Sequence, residues 1–139
     1  MIPVCPKCDA PLFILHFKDV EVDFCNRCRG LWLDAGEIEA LLNFTGVSAE
    51  DPLLHFQQQP GVLPNGRPHL CPRCDEPLLE ITVAPPSGDP LPLDRCPRGH
   101  GLWFDADELA QLLTLFPPEV RARKTIDYLN ELFSMTSKH

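Results

Sequence analysis

The sequence predicts a small, metal-stabilised α+β protein made of two tandem copies of one motif, in which a β-hairpin carries two pairs of metal ligands and leads into a short helix. Two observations predict this class. The run from Cys25 to Leu42 recurs as the run from Cys96 to Leu113, with Gly-Leu-Trp in both. A Cys-Pro-basic-Cys-Asp run precedes each of them, at residues 5–9 and 71–75. An internal duplication of this kind decides how the rest of the chain is interpreted.

Chain length and cysteine count indicate that metal holds the fold together. The chain has 139 residues, so each copy is near the size below which a hydrophobic core alone rarely suffices. Its seven cysteines are an odd number and cannot all pair in intramolecular disulfides. The start does not resemble a signal peptide, and no apolar run approaches the length of a membrane span. We therefore expect a cytoplasmic protein whose thiols are metal ligands.

The hairpins and helices follow from local patterns. The first hairpin is predicted at residues 12–17 and 20–24, since the second arm alternates apolar and polar side chains. The second is predicted at 78–83 and 91–95, with Pro92 expected to confine its arm to a sheet edge. Helices are predicted near 35–44 and 106–116. Their signals are N-cap and capping-box carboxylates at Asp34, Glu37, Asp105 and Glu108.

These elements divide the chain into four segments. We predict a first module at 1–45, a linker at 46–68, a second module at 69–116 and a C-terminal segment at 117–139. In the last segment an apolar stripe predicts an amphipathic helix at about 118–134. That helix can fold back onto the modules or pair with a second chain. We favour folding back because small modules need covering surface, and a homodimer is the open alternative.

The ligand spacing predicts two zinc sites. The first is Cys5-x2-Cys8 followed by Cys25-x2-Cys28, a spacing typical of a four-thiolate zinc site. The second offers three thiolates and one imidazole, from Cys71, Cys74, Cys96 and His100. Here Gly99 stands at the position of Cys28. The longer reach of an imidazole makes a ligand one residue later geometrically plausible, and seven thiols plus one histidine supply two complete sets.

Other uses of the cysteines fit the pattern less well. A redox Cys-x-x-Cys pair usually accompanies a βαβ pattern, which this chain lacks. Iron can occupy a four-thiolate site, but His100 in the duplicate site favours zinc. Catalytic zinc keeps an open position for water, whereas both ligand sets here are full. We therefore expect two structural Zn²⁺ ions and no enzyme activity.

The residues around the ligands have mainly structural interpretations. Trp32 and Trp103 are expected to be buried against the metal sites or the helix bases. Gly30 and Gly101 are expected to permit a backbone conformation or a close approach beside the last ligand. The basic residues within the ligand pairs are expected to offset thiolate charge. The net charge of −8 disfavours a general DNA or RNA binder, since nucleic-acid affinity depends largely on neutralising phosphates.

The motif at residues 5–38 resembles the TFIIB-type zinc-ribbon family, also called transcription factor zinc-finger. The second copy, residues 71–109, is similar and departs at Gly99-His100 and at Asp107, which replaces Gly36. The resemblance implies a zinc-ribbon fold, a metal site at each copy's cysteines and a connection with transcription, in which the namesake ribbon contacts RNA polymerase. The ligand role of His100 rests on the geometric argument alone.

Three functions are compatible with these features. The first is a non-enzymatic, zinc-stabilised adaptor that binds another protein, with RNA polymerase as one candidate. The second is a transcription factor acting on polymerase or nucleic acid through the basic residues of the ligand pairs and the Arg121, Arg123 and Lys124 cluster. The third is a switch that releases zinc on thiol oxidation. We expect the first, because both ligand sets are complete and the chain is acidic.

Overall fold

The computed structural model describes residues 2–17, 20–45, 56–84 and 89–114. They form six strands and two α-helices: β1 Phe13–Phe17, β2 Val20–Phe24, β3 Leu31–Asp34, α1 Ala35–Thr45, β4 Leu79–Val83, β5 Leu91–Arg95, β6 Gly101–Phe104 and α2 Glu108–Thr114. A short 3-10 turn covers Phe56–Gln58. The predicted helix at 118–134 lies outside the described residues, as does the first part of the predicted linker, residues 46–55.

The two copies share a single antiparallel sheet with the strand order β1-β2-β3-β6-β5-β4. At its centre β3 pairs with β6, and Trp32 lies directly opposite Trp103. Each copy therefore occupies half of the sheet, and the equivalent strands meet at the middle. The predicted small α+β fold with two zinc ribbons is confirmed, while the boundaries predicted for the copies stay predictions.

Both predicted hairpins are present. β1 pairs with β2 from Phe13 opposite Phe24 onwards, and β4 pairs with β5 in the corresponding register. The expectation that Pro92 confines its strand to an edge is wrong, because β5 lies between β4 and β6. β5 pairs with β6 only at Asp94 and Arg95. Pro92 lies outside this paired part, so its missing backbone N–H removes no hydrogen bond between β5 and β6.

The central strands β3 and β6 were not among the predicted elements. Each contains a short apolar run, Leu-Trp-Leu in β3 and Leu-Trp-Phe in β6, whose side chains are buried on both faces of the sheet. Such a run lacks the alternation of a half-buried strand, and its length of four residues leaves the secondary structure ambiguous. The sequence pattern of this stretch indicates a buried tryptophan followed by a helix cap, and it does not indicate a strand.

The two faces of the sheet have different roles. On one face Leu31, Leu33, Leu102 and Phe104 join the main hydrophobic core. This core also receives Ile38 and Leu41 from α1, Leu109 and Leu112 from α2, and Phe56 from the 3-10 turn. On the other face Trp32 and Trp103 lie in a second cluster with the buried cysteines. The alternation of side chains along β3 and β6 thus separates the helix-covered core from the metal-binding side.

The helix starts differ between the copies. α1 begins at Ala35, as predicted, but α2 begins at Glu108 rather than at residue 106. Asp107 has a φ of 72°, in the left-handed region, so it cannot continue the turn of a right-handed helix.

The capping-box prediction holds in part for the second copy, where the Asp105 N–H donates to Glu108 Oε1 at 2.7 Å. In the first copy the Glu37 carboxylate instead accepts from the Glu21 N–H at 2.8 Å.

Gly30 and Gly101 allow the two copies to approach each other closely, because neither glycine has a side chain. A Cβ on Gly30 would lie 2.3 Å from Cζ2 of Trp103, in the other copy. A Cβ on Gly101 would lie 2.2 Å from the Leu33 carbonyl oxygen and 2.9 Å from Cζ2 of Trp32. The close approach predicted for these glycines is confirmed, but the neighbour is the opposite copy's tryptophan and strand rather than a metal ligand.

We predict that Gly101→Ala destabilises the zinc-loaded protein by about 2 kcal/mol, since the new methyl group must displace the backbone of β3. Gly36→Ala is the matched control. Gly36 lies in α1 with open space at its Cβ position, so alanine there should be neutral or stabilising by about 0.5 kcal/mol. Chemical denaturation followed by tryptophan fluorescence measures both. Equal stability of the two variants would contradict the close packing of the copies.

Candidate metal centres

Tight backbone turns carry the cysteines. In the first turn the Asp9 N–H donates to the Cys5 carbonyl at 3.0 Å, and the Cys5 N–H donates to the Ala10 carbonyl at 2.8 Å. Asp9 has a φ of 59°, and the equivalent Asp75 has a φ of 62°. Aspartate tolerates this left-handed conformation better than most residues, which gives a local reason for aspartate after each Cys-Pro-x-Cys run.

The first centre brings together the four predicted thiols, Cys5, Cys8, Cys25 and Cys28. All four sulfurs lie within 4.8 Å of one another, and the Sγ atoms of Cys5 and Cys28 are 3.7 Å apart. The N–H groups of Lys7 and Cys8 both donate to Cys5 Sγ at 3.3 Å. Such N–H donors stabilise a thiolate within a buried site.

The second centre brings together Cys71, Cys74, Cys96 and His100. The Sγ atoms of Cys74 and Cys96 are 3.6 Å apart, and His100 Nδ1 lies 3.4 Å from Cys96 Sγ. His100 is exposed, whereas Cys71 and Cys96 are buried. The structure thus brings all eight predicted ligand side chains into two groups of four.

A one-residue shift in the turn explains how His100 replaces a cysteine. In the first copy the left-handed residue is Arg29, at a φ of 66°, and its N–H bonds to the Cys25 carbonyl. In the second copy it is Gly99, at a φ of 80°, and its N–H bonds to the Cys96 carbonyl. The left-handed residue therefore comes one position earlier, and the residue after it, His100, supplies the donor atom.

The spacing of the donors fits tetrahedral zinc. With a Zn–S distance of about 2.3 Å and a Zn–N distance of about 2.0 Å, tetrahedral geometry places sulfurs about 3.8 Å apart and sulfur and nitrogen about 3.5 Å apart. The observed separations of 3.7, 3.6 and 3.4 Å are close to these values. Sets of four thiolates and of three thiolates with one imidazole are both typical of structural zinc. The protein therefore has two structural zinc sites.

Because the cysteines are buried, their ionisation to thiolates depends on a nearby cation. Burial raises the pKa of Cys5, and it raises the pKa of Cys28 to about 11 and that of Cys71 to about 12. Burial also acts to raise the pKa of Cys96, but N–H donors from His100 and Arg98 outweigh it and the pKa falls to about 7. Several adjacent thiolates would repel one another without positive charge, and a divalent ion at the centre of the four donors supplies that charge.

The indole groups of Trp32 and Trp103 connect the metal side of the sheet to a pair of aspartates. Trp32 Nε1 donates to Asp34 Oδ1 at 2.7 Å, and Trp103 Nε1 donates to Asp105 Oδ1 at 3.0 Å. Both indoles are fully buried, so these bonds satisfy donors that would otherwise be costly to bury. The expected core role of the tryptophans is confirmed.

A basic residue in the first turn of each copy crosses to the other copy. Lys7 Nζ lies 3.3 Å from Asp94 Oδ2 and 3.7 Å from Asp105 Oδ1. In the equivalent arrangement, Arg73 binds Asp23 and donates from Nε to Asp34 Oδ1 at 2.9 Å.

The sequence predicts that these basic residues offset thiolate charge, whereas the structure shows that they join the two copies. A signal was present, since Asp23 and Asp94 recur two residues before a cysteine, as Asp34 and Asp105 recur after the tryptophans.

Burial also changes the ionisation of acidic residues near this contact. It raises the pKa of Asp94, against the attraction of Lys7, and it raises the pKa of Asp23, against the attraction of Arg73. The pKa of Glu108 rises to about 7, mainly through burial, despite the bond from the Asp105 N–H. Glu108 is therefore an acid whose neutral form is favoured in the folded state.

A family model described as transcription factor zinc-finger matches residues 4–43 and again residues 70–114. The two matched segments contain all eight ligands and together cover more than half of the chain. No curated protein and no solved structure matches this chain. Among the described residues, no helix has the length and apolar character needed to span a bilayer.

We predict that the purified chain carries two zinc ions and that His100→Ala retains only one under chelator competition. The variant leaves three protein ligands at the second centre, which weakens that site and leaves the first centre's ligands intact. His16→Ala is the matched control, because His16 is an exposed histidine on β1. Native mass spectrometry counts the ions. Two retained ions in His100→Ala would show that His100 is not a ligand.

We predict that Glu108→Gln raises the stability of the zinc-saturated protein at pH 8 by roughly 1 kcal/mol, and that this gain disappears near pH 5. The ordinary pKa of 4.5 applies in the unfolded chain and about 7 in the folded one. The folded state therefore binds more protons between these values, and the free energy of unfolding falls as pH rises through this window.

Glutamine cannot ionise and avoids that loss. Thermal unfolding of each variant against the native protein at the same pH measures the difference, so that zinc release at low pH cancels. Glu39→Gln, an exposed position on α1, controls for the loss of one charge. A gain for Glu108→Gln that is independent of pH would contradict the raised pKa.

Proposed function

Because the chain belongs to the transcription factor zinc-finger family, we propose that it is a non-enzymatic zinc-binding adaptor that recognises another protein. The family membership and the two complete zinc sites support a zinc-binding, transcription-factor-like protein. The adaptor role is our own inference from how the charged and apolar side chains are arranged around those sites.

The observation that carries the proposal is the engagement of Lys7 and Arg73 within the chain. These two side chains lie in the turns that bind metal, where a nucleic-acid-binding protein would present positive charge to phosphates. Here each is held by two aspartates of the opposite copy. Arg98 and Arg67 are also paired with carboxylates, those of Glu76 and Asp9.

The surface beside the metal centres supports a protein partner. A groove of about 400 Å³ lies between the first turns of the two copies, with Pro6 and Pro72 among its lining residues. Ile2, Val4 and Leu70 line the same groove and are exposed. Exposed apolar side chains that cluster in a concave surface are typical of protein-binding sites.

The ligand sets support a structural role for the metal. Each centre has four protein donors within 4.8 Å of one another, which fills the tetrahedral coordination of zinc. A catalytic zinc needs a position for water or substrate. We therefore propose that the ions stabilise the fold and that the protein has no enzyme activity.

The second candidate function is binding to nucleic acid or RNA polymerase, which the description of the matched family favours. The exposed Arg27 lies in the second turn of the first copy and is available for such a contact. The predicted basic cluster at Arg121, Arg123 and Lys124 lies outside the described residues. The net charge of −8 weakens the nucleic-acid form of this function but leaves polymerase as a protein partner.

We predict that the immobilised, zinc-loaded chain retains a stoichiometric protein partner from its native cytosol after nuclease treatment, and that it shifts neither DNA nor RNA in a gel at low salt. An Arg27→Glu variant is the charge control. Retention that nuclease abolishes, or a gel shift that weakens steeply with salt and with Arg27→Glu, would replace the adaptor with the nucleic-acid-binding function. Reproducible turnover of a substrate by the loaded chain would contradict both.

A further inference from the structure

The two ends of the sheet differ in a way that the internal duplication makes visible. β4 and β1 are equivalent edge strands, and each pairs in the same register with its inner neighbour. On the outer side of β4, the Val62 N–H donates to the Glu80 carbonyl at 2.9 Å and the Glu80 N–H donates to the Val62 carbonyl at 2.8 Å. A short extended segment of the chain therefore adds to the β4 edge.

The equivalent position on β1 is Ile14. Ile14 lies opposite Asp23 in the first copy, as Glu80 lies opposite Asp94 in the second. The same register directs the N–H and carbonyl of Ile14 outward, since the groups of successive strand residues alternate between the two edges. Among residues 2–17, 20–45, 56–84 and 89–114, no segment pairs with this outer edge.

The side chains show the same asymmetry. Gly61 packs so closely on Leu79 that a Cβ on the glycine would lie 2.8 Å from Leu79 Cβ. The residue equivalent to Leu79 is Phe13, which is 52% exposed, and the neighbouring Ile14 is 53% exposed. Two adjacent apolar side chains are uncommon on an edge strand that no described segment covers, because such an edge invites pairing with another chain.

We propose that the outer edge of β1 binds an extended, uncharged segment of a partner protein by strand addition, with a glycine next to an aliphatic residue as in Gly61-Val62. The aliphatic residue's N–H and carbonyl bond to Ile14, and the glycine allows the partner backbone to lie against Phe13. The Gly61-Val62 segment, which pairs with the equivalent edge on β4, shows what kind of sequence this register accepts. The inference rests on the proposed adaptor function and adds to it a second contact surface, the β1 edge, apart from the groove between the first turns.

The probe is a synthetic peptide with the sequence of residues 59–64, Gln-Pro-Gly-Val-Leu-Pro, titrated into the zinc-loaded full chain. NMR of the labelled protein should show saturable shifts in β1 and a protected Ile14 amide. The matched control peptide carries N-methylvaline, which lacks the donor for the Ile14 carbonyl, and its binding should be at least tenfold weaker. Equal binding of the two peptides, or no shift in β1, overturns the proposal.

Two variants of the protein sharpen the test. Phe13→Ala should weaken peptide binding several-fold without unfolding the chain, because the side chain is already exposed. Ile14→Pro removes the outward N–H and should abolish binding; a spectrum that otherwise matches the native one confirms that it folds. Peptide binding that both folded variants retain overturns the proposal.

The chain without peptide gives a further control. If the Ile14 amide becomes protected as protein concentration rises, a second copy occupies the edge and the partner proposal is wrong. The outcomes also separate this inference from the adaptor function. A cytosolic partner that Ile14→Pro still retains leaves the adaptor function standing and overturns only the strand addition.

Discussion

Neutralisation of clustered, buried thiolates by a divalent ion is the constraint on which the rest of this fold depends. Cys5, Cys25, Cys71 and Cys96 are completely buried, and each centre places four donors within 4.8 Å of one another. Thiolates at this spacing repel one another, and protonated thiols would not bind a metal ion that links the turns. One Zn²⁺ in each centre removes the repulsion and ties together the two turns that flank the hairpin of each copy.

The second determinant is the reciprocal contact between the copies. Each glycine after the last ligand accommodates the opposite tryptophan, and each basic residue of the first turn binds two aspartates across the boundary. The partners are partly or fully buried, so loss of one would leave a charge without compensation. The same contacts keep Lys7 and Arg73 engaged within the chain, which links the stability of the fold to its proposed preference for protein partners.

The sequence predicted the features that depend on local spacing. The ligand pairs, the hairpin arms, the start of α1 and the family follow from short motifs, and the duplication made each of them visible twice. Features that depend on contacts between distant residues were missed, above all the central strands. The run Leu31-Trp32-Leu33 is apolar throughout, and only its pairing with β6 makes it a strand buried on both faces. The late start of α2 depends on Asp107, which has a left-handed conformation that the sequence does not predict unambiguously.

The most direct test is removal of both ions from the intact chain, followed by near-ultraviolet circular dichroism of Trp32 and Trp103. Since the tryptophans lie at the join between the copies and beside both centres, we expect their signal and the cooperative thermal transition to disappear together, and to return when zinc is restored. A metal-free chain that keeps its tryptophan signal and unfolds cooperatively would contradict the dependence of the fold on zinc.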